Sequence, residues 1–294
     1  MALWTQISRL VKDPPPDHIF ELSEAGIAYA RHGETGFQTF EPGVLAVSPL
    51  SDNILRPDAF ASVLARIAPP NGAKRRPAAM ILPDYVARVS LIDFDSFPAT
   101  PEEQVPLVRF RVKKTIPFDI DSAAVSFWAQ PPSTKAGVKK IDVVAVTVSM
   151  EILARYEAAF RNVNLHPGEI TTSGLAALNL YQGSGVVVIA KLTGNILTVM
   201  AVAEGRLKLF RCLTVETGGE DSSAPFNDEE ILAVLHPTFA YIEDELGQKP
   251  EKLLLCGFAK PPAGLTLETE PLRSHLGTPN AYNAGLLGYL EAAG

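Results

Sequence analysis

The side chains that could carry acid–base, metal or nucleophilic chemistry are scattered along the 294-residue chain. The chain has five histidines, His18, His32, His166, His236 and His275. No two of them have the helical spacing that a zinc site uses, so packing or surface roles are indicated. Thr172 and Ser173 precede a helical pattern, where hydroxyls commonly cap free N–H groups, and no nucleophile-elbow sequence surrounds Ser173. Asp93 and Asp95 are predicted to be solvated charges of an edge strand. The sequence thus predicts no catalytic residue and no metal site.

Composition narrows the function classes further. With 47% hydrophobic and 20% charged residues, the chain can bury a large core and is long enough for two lobes. A net charge of -7 argues against a nucleic-acid surface, which needs an excess of cations. Cys212 and Cys256 are too far apart for a zinc knuckle and favour a reducing cytoplasm. No apolar run approaches the roughly 20 residues of a membrane-spanning helix, so a soluble protein is expected.

The N-terminal segment is predicted to be an amphipathic helix. Its apolar face is formed by Leu3, Trp4, Ile7, Leu10 and Val11, and three prolines from Pro14 form a stiff spacer after it. Two interpretations stay open. The helix could dock on its own domain, which we favour, or Trp4, Ile7 and Leu10 could mediate membrane binding or self-association.

Two similar series of short elements lie on either side of a different central region. The first contains strands at His18 to Ser23, Gly26 to Arg31 and Phe37 to Pro42, a helix at Pro57 to Ala68 and a strand at Ala78 to Leu82. The second contains three strands between Gly185 and Val215, a helix at Asp228 to Glu245, a strand at Leu253 to Cys256 and a helix at Asn280 to Leu290. The two three-stranded meanders form a weak internal repeat.

The central region contains a hairpin, a basic helix, a buried strand at Lys140 to Ser149 and a helix that runs through Phe160. In its basic helix, Phe110, Val112 and Ile116 are predicted to form the buried side, and Arg109, Arg111, Lys113 and Lys114 the wet side. Pro117 is predicted to stop this helix.

Several short motifs occur in an order that points to one family. They are Leu82-Pro83-Asp84, the hairpin strand that starts at Arg88, the helix end Ile116-Pro117-Phe118 and the C-terminal run AYNAGLLGYL. In this order they resemble the PilM family, the actin-like cytoplasmic components of type IV pilus machines, which are related to the cytoplasmic domains of GspL in type II secretion and to FtsA. The resemblance implies an α/β, actin-like ATPase fold, which is a duplicated ribonuclease H-like fold. It has two lobes, with an α+β subdomain inserted into the first.

The implied domain boundaries follow from the same comparison. Residues 1–16 would be the N-terminal helix and spacer, 17–84 the first lobe and 85–166 the inserted subdomain. Residues 167–182 would resume the first lobe, and 183–294 would form the second.

The resemblance also places a nucleotide site at the tips of the two meanders, but the tips depart from the family pattern. Glu21 takes the position of an aspartate, Leu22 replaces a glycine, and Lys191 or Ala190 replaces the second acid. A magnesium-bound nucleotide needs those acids and close backbone N–H groups, so we expect no ATP turnover and no cofactor. ATP and Mg²⁺ would be ligands only if the altered motifs still bind them, through Glu21, Ser23, Lys191, Thr193, Gly194 and Gly257.

The implied function is that of a PilM-like scaffold of a type IV pilus or related secretion machine, cytoplasmic and peripheral to the inner membrane. It would dock the cytoplasmic tail of a PilN-like bitopic inner-membrane protein and could also contact pilus assembly ATPases or a second copy of itself. The residues expected to bind the partner are Arg88, Phe110, Lys113, Ile116, Pro117 and Phe118, although Phe110, Ile116 and Phe118 could equally be core residues. The alternatives are an active actin-like ATPase and an FtsA-like filament former.

Overall fold

The computed structural model of the chain describes residues 15–70, 72, 75–135, 138–216 and 227–293. The described strands form three sheets, two of five strands and one of four. The two five-stranded sheets have equivalent strand orders, β3-β2-β1-β4-β9 and β12-β11-β10-β13-β14. Each has a meander whose first strand pairs in parallel with the next strand of its lobe. The weak repeat of the sequence is therefore a duplication of the fold.

The first sheet is covered on both faces, which explains why its central strand is buried along its whole length. Its strands are β1 (His18–Ser23), β2 (Gly26–Arg31), β3 (Glu34–Thr39), β4 (Arg76–Leu82) and β9 (Leu165–Thr172). Helices α1 (Pro57–Ile67) and α3 (Met150–Arg161) pack on one face, where Phe60 and Phe160 belong to the same core cluster as Phe20 of β1. The short α4 (Ser173–Ala177) and the C-terminal α6 (Ala284–Ala293) cover the other face, where Leu286 and Tyr289 join Ile19.

The second sheet has the same kind of cover. Its strands are β10 (Val187–Thr193), β11 (Ile196–Ala203), β12 (Arg206–Thr214), β13 (Lys252–Cys256) and β14 (Thr269–Pro271). Helix α5 (Asp228–Leu246) packs on the outer face. It begins after Asn227, whose side chain accepts a hydrogen bond from the Glu229 N–H at 3.0 Å, and ends at Gly247 in the left-handed conformation. On the inner face, Leu175 of α4 and Leu287 of α6 contact this sheet as well.

The third sheet belongs to the region inserted between β4 and β9. It contains β5 (Arg88–Phe94), β6 (Ala123–Ala129), β7 (Ser133–Lys135) and β8 (Val138–Ser149), with β8 between β5 and β6. Helix α2 (Pro101–Val112) packs Val108 and Val112 on this sheet. The predicted α/β architecture with an inserted α+β region is confirmed.

The predicted faces of α2 were wrong at two positions, Phe110 and Arg109, whereas Val112 is buried as expected. Phe110, expected on the buried side, is 74% exposed, whereas Val108 is fully buried. Arg109, expected in water, turns inward and its guanidinium donates to the carbonyl oxygens of Ile120 and, at 3.3 Å, Ala123. The helix also ends at Val112, before Pro117. Arg109 turns inward because the carbonyl oxygens of Ile120 and Ala123, beyond the end of the helix, accept its N–H groups.

The segment after α3 also differs from the prediction. The helical pattern after Thr172 and Ser173 corresponds to α4 and a single 3-10 turn, Leu178–Leu180, but the strand β9 over Leu165–Thr172 was not predicted. Pro167, Gly168 and Glu169 weaken the strand signal of β9, which among the described strands pairs only with β4, in parallel, at the edge of the sheet.

Candidate functional site between the two lobes

The candidate site lies where the two duplicated sheets face each other. A row of four polar side chains crosses the second sheet there. Cys212, Thr198, Lys191 and Cys256 lie on four adjacent strands and are direct neighbours in the strand register. Because paired residues of adjacent strands point to the same face, the row presents two thiols, a hydroxyl and an ammonium group together. Asp84 of the first lobe meets this row.

Asp84 lies two residues beyond Leu82, the last residue of β4, and connects the two lobes. One carboxylate oxygen accepts a hydrogen bond from the backbone N–H of Gly174 at 2.6 Å. The other accepts from the hydroxyl of Thr198 at 2.9 Å and lies 3.5 Å from the ammonium nitrogen of Lys191. The Asp84 and Lys191 side chains are 2% and 3% exposed, so the ion pair is inside the protein.

The Lys191 ammonium has a second partner on its own hairpin. It donates to the Thr193 hydroxyl at 2.7 Å, and that hydroxyl donates to the carbonyl oxygen of Ala281 at 2.8 Å. Burial alone would lower the pKa of Lys191, but the carboxylates of Asp84 and Glu21 together outweigh it and hold the pKa above its usual value. Lys191 is therefore charged at neutral pH.

The Glu21 carboxylate binds the first turn of the C-terminal helix. The carboxylate accepts from the Leu286 N–H at 2.7 Å, in the first turn of α6, and from the Ser173 hydroxyl. A helix does begin at Ser173, as predicted, but no side chain caps it, and the Ser173 hydroxyl donates to Glu21 instead. Burial raises the pKa of Glu21, and Lys191 and the two hydrogen bonds oppose that rise. A Cβ at Gly285 would lie 2.9 Å from a Glu21 oxygen, so only glycine lets the helix approach this carboxylate.

A cavity of about 350 Å³ opens beside this network. It is lined by Glu21, Glu24, Asp84 and Lys191, with Phe40 and Tyr282 among its apolar walls. Three carboxylates thus face a single ammonium among the described lining residues, which is the wrong balance for a polyanion. The Glu24 carboxylate is already bonded to the Val47 N–H at 2.6 Å.

The residues present do not fit magnesium and ATP. The Lys191 ammonium lies beside Asp84 and would repel a divalent cation there. Leu22 is packed in the core of the first lobe. Unlike a glycine, it does not allow a phosphate to approach the backbone N–H closely. Gly257 has a positive φ, and a Cβ there would lie 2.0 Å from the Leu192 carbonyl oxygen. Close packing of the backbone is thus sufficient to require this glycine.

Neither the scan against protein-family models nor the search of curated proteins found a match. Comparison with solved structures did. A structure described as the PilM-PilN type IV pilus biogenesis complex matches with a TM-score of 0.66 at 14% identity, over 96% of this chain and 99% of that one. The chain has the fold of PilM.

A second solved structure supports the same fold. The cytoplasmic domain of EpsL, an inner-membrane component of the type II secretion system of Vibrio cholerae, matches with a TM-score of 0.54 at 14% identity. The match covers 94% of this chain and 93% of that domain. The resemblance to the PilM family that the sequence motifs indicated is confirmed at the level of the fold, which is actin-like.

The residues predicted for a nucleotide are brought together by this PilM-like fold. Glu21, Ser23, Lys191, Thr193 and Gly194 line the same cavity, and Gly257 lies against Leu192 of β10. Ser23 bonds within its own turn, since its hydroxyl donates to the Gly26 carbonyl oxygen at 2.9 Å.

Sequence reasoning missed four groups that complete the network. They are the Asp84 carboxylate, the Thr198 hydroxyl and the N–H groups of Gly174 and Leu286. Of these four groups, only Asp84 could have been found from the sequence, because it belongs to the Leu82-Pro83-Asp84 motif.

The residues predicted for a partner divide into exposed and packed ones. Phe110, Lys113 and Pro117 are exposed, whereas Ile116 and Phe118 pack against the core of the inserted region. The Arg88 guanidinium lies over the Tyr85 ring at 5.0 Å and donates to the carbonyl oxygens of Tyr85 at 3.3 Å and Ala87 at 3.1 Å. Of the predicted set, the outer surface of the inserted region therefore offers Phe110, Lys113 and Pro117.

Other site classes are not represented in the described part of the chain. No group of three or more His, Cys, Asp or Glu residues there is arranged to hold a metal ion. Cys212 and Cys256 are free, and burial raises the pKa of each thiol to about 12. No described helix is long and apolar enough to cross a membrane. Trp4, Ile7 and Leu10 lie outside the described residues.

Proposed function

We propose that this chain is a PilM-like cytoplasmic scaffold of a type IV pilus or related secretion machine, peripheral to the inner membrane, and that it docks the cytoplasmic tail of a PilN-like protein. The observation that carries the proposal is the likeness to PilM along almost the whole of both chains, inserted region included. The likeness to the EpsL domain supports the same setting, because that domain also belongs to an inner-membrane component.

The cleft between the lobes supports a binding role over a catalytic one. An active actin-like ATPase, or a filament former that depends on nucleotide, would need the metal and phosphates to enter between Glu21 and Lys191. Both side chains are instead bonded to the protein itself. We therefore propose that ATP is neither bound tightly nor hydrolysed.

The proposed docking face is the exposed end of α2 together with the turn that follows it. Phe110 provides an apolar side chain in water and Lys113 a cation one turn away, whereas Pro117 is exposed beyond them. The hydroxyls of Ser90 and Thr115, 3.2 Å apart, tie this turn to the start of β5. An amphipathic or extended tail with an apolar anchor and acidic residues would complement such a face.

Binding of a synthetic peptide that copies the cytoplasmic tail of the PilN-like protein from the same organism tests this function. Titration calorimetry should show binding to the full chain. Phe110→Ala combined with Lys113→Glu should weaken it roughly tenfold or more, equivalent to about 1.4 kcal/mol. The melting temperature should stay within about 2 °C of the parent, because both side chains are exposed.

A matched control lies on the second lobe, where Leu276 is 54% exposed and Lys260 is exposed in a loop. Leu276→Ala combined with Lys260→Glu removes the same kinds of group and should leave peptide affinity unchanged. Equal affinity of the two double variants for the peptide would mean that the docking face lies elsewhere on the protein. A parent chain that does not bind the peptide would contradict the scaffold function.

A further inference from the structure

The cleft between the lobes contains a cation site that the protein fills by itself. We propose that the Lys191 ammonium acts as a tethered cation that joins the two lobes, in place of any metal ion or nucleotide. This inference concerns the cleft alone and does not depend on the proposed docking of a PilN-like tail.

The ion pair between Asp84 and Lys191 crosses the boundary between the lobes. Asp84 comes from the end of β4 in the first lobe, while Lys191 and Thr198 come from β10 and β11 in the second. The Asp84 carboxylate also holds Gly174 at the start of α4, and α4 packs against both lobes. One buried carboxylate thus gathers an ammonium, a hydroxyl and an amide from three elements.

Charge and burial make the ammonium necessary. Glu21 is 1% exposed and Asp84 is 4% exposed, and Lys191 is electrostatically coupled to both. Removing one partner of a buried pair leaves an uncompensated charge, which destabilises a protein strongly. Among the described residues that line the cavity, Lys191 is the only cation, so no neighbour could replace it.

The register of the sheet fixes the ammonium in place. Lys191 is paired with Thr198 on β11 and with Cys256 on β13. Its side chain therefore projects from the middle of the sheet toward the first lobe. The Thr193 hydroxyl accepts a hydrogen bond from one of the three N–H groups of the ammonium. A ligand can shift a conformational equilibrium only by its differential affinity for the two states. Since the cation is covalently part of the chain, closure of the lobes does not depend on magnesium or ATP.

Chemical rescue tests the tethered cation directly. Lys191→Ala removes the ammonium and leaves space between the carboxylates, so its melting temperature should fall. Ethylammonium chloride, which replaces the lost end of the side chain, should raise that temperature by about 3 °C or more. The same salt should leave the melting temperature of the parent chain unchanged. Tetramethylammonium, which is too large and has no N–H donor, should not raise the melting temperature of Lys191→Ala or of the parent. Lys249→Ala is the control, because its side chain is 76% exposed.

Two further measurements keep the test decisive if Lys191→Ala does not fold. The parent chain should melt at the same temperature with a chelator and with magnesium and ATP. The double variant Lys191→Met with Asp84→Asn, which removes both charges, should be more stable than Lys191→Met alone. Stabilisation of the parent by magnesium and ATP would overturn the proposal. Equal stability of Lys191→Met and the parent, or a folded Lys191→Ala that ethylammonium does not rescue, would overturn it too.

Discussion

At the scale of single residues, a cluster of cations lies at the end of the first lobe away from the candidate site. The Arg31 guanidinium donates to the Ile67 carbonyl oxygen at 3.0 Å, at the end of α1. The Arg76 guanidinium donates to the carbonyl oxygens of Ala68 at 3.0 Å and Val163 at 2.7 Å, which lie just past the ends of α1 and α3. Cations stabilise helix C-termini, which explains why two arginines are used here.

His18 is buried next to these arginines and should make the protein sensitive to acid. Burial lowers the pKa of His18 from 6.5, and Arg76, His32 and Arg31 lower it further, against a weaker opposite effect of Asp17. The unfolded chain then binds the proton more readily than the folded one, so the free energy of unfolding should fall as the pH drops below 6.5. His18→Gln should flatten this acid limb in urea titrations from about pH 7.5 to 5. His275→Gln, at an exposed position, should not, and an unchanged slope in His18→Gln would refute the assignment.

At the scale of elements, most helices and strands of the two lobes were predictable because their apolar patterns are strong. The strands β1, β2 and β13 and the helices α1 and α5 lie within one or two residues of their predicted bounds. The edge strand β9 was missed because proline and glycine interrupt its pattern, and β14 has only three residues. The inward turn of Arg109 in α2 could not be predicted either, since its guanidinium donates to carbonyl groups that lie beyond the helix.

The corrected faces of α2 give a stability prediction. Val108→Ala removes two buried methyl groups and should lower the free energy of unfolding by about 1–3 kcal/mol, whereas Phe110→Ala, despite the larger deletion, should change it by less than about 0.5 kcal/mol. Urea denaturation of the two variants beside the parent chain measures both effects. A larger loss for Phe110→Ala would mean that Phe110 is buried, and would restore the face assignment expected from the sequence.

At the scale of the whole molecule, the site depends on contacts between distant parts of the chain. The repeat of the two meanders and the family motifs were enough to bring Glu21 and Lys191 to one place. They could not show that Asp84 meets Thr198, which is 114 positions away in sequence, because nothing local in either segment encodes how closely the lobes approach.

A second bridge links the inserted region to the second lobe. The Gln130 side chain is 2% exposed, and its amide both donates to the Leu207 carbonyl oxygen and accepts from the Leu207 N–H, each at 2.9 Å. It therefore pairs with β12 as a neighbouring strand would. Beside it, the Lys208 ammonium lies 3.2 Å from a carboxylate oxygen of Asp142 on β8. With the Asp84 network, this bridge fastens the two lobes at separate points.

Gln130→Ala should weaken that fastening, because it leaves the buried N–H and carbonyl groups of Leu207 without their partners. We expect a loss of about 1–3 kcal/mol in the free energy of unfolding and faster hydrogen exchange at the Leu207 amide. Gln182→Ala is the matched control: its side-chain amide donates a single hydrogen bond to the nearby Asn179 carbonyl oxygen at 2.6 Å, so the loss should be about 0.5 kcal/mol. Hydrogen exchange followed by mass spectrometry, beside urea denaturation, separates the two. If the Leu207 amide stayed equally protected in a folded Gln130→Ala protein, the Gln130 amide would not help to hold the second lobe, and the contacts that remain there, such as the Lys208–Asp142 ion pair, would carry this bridge.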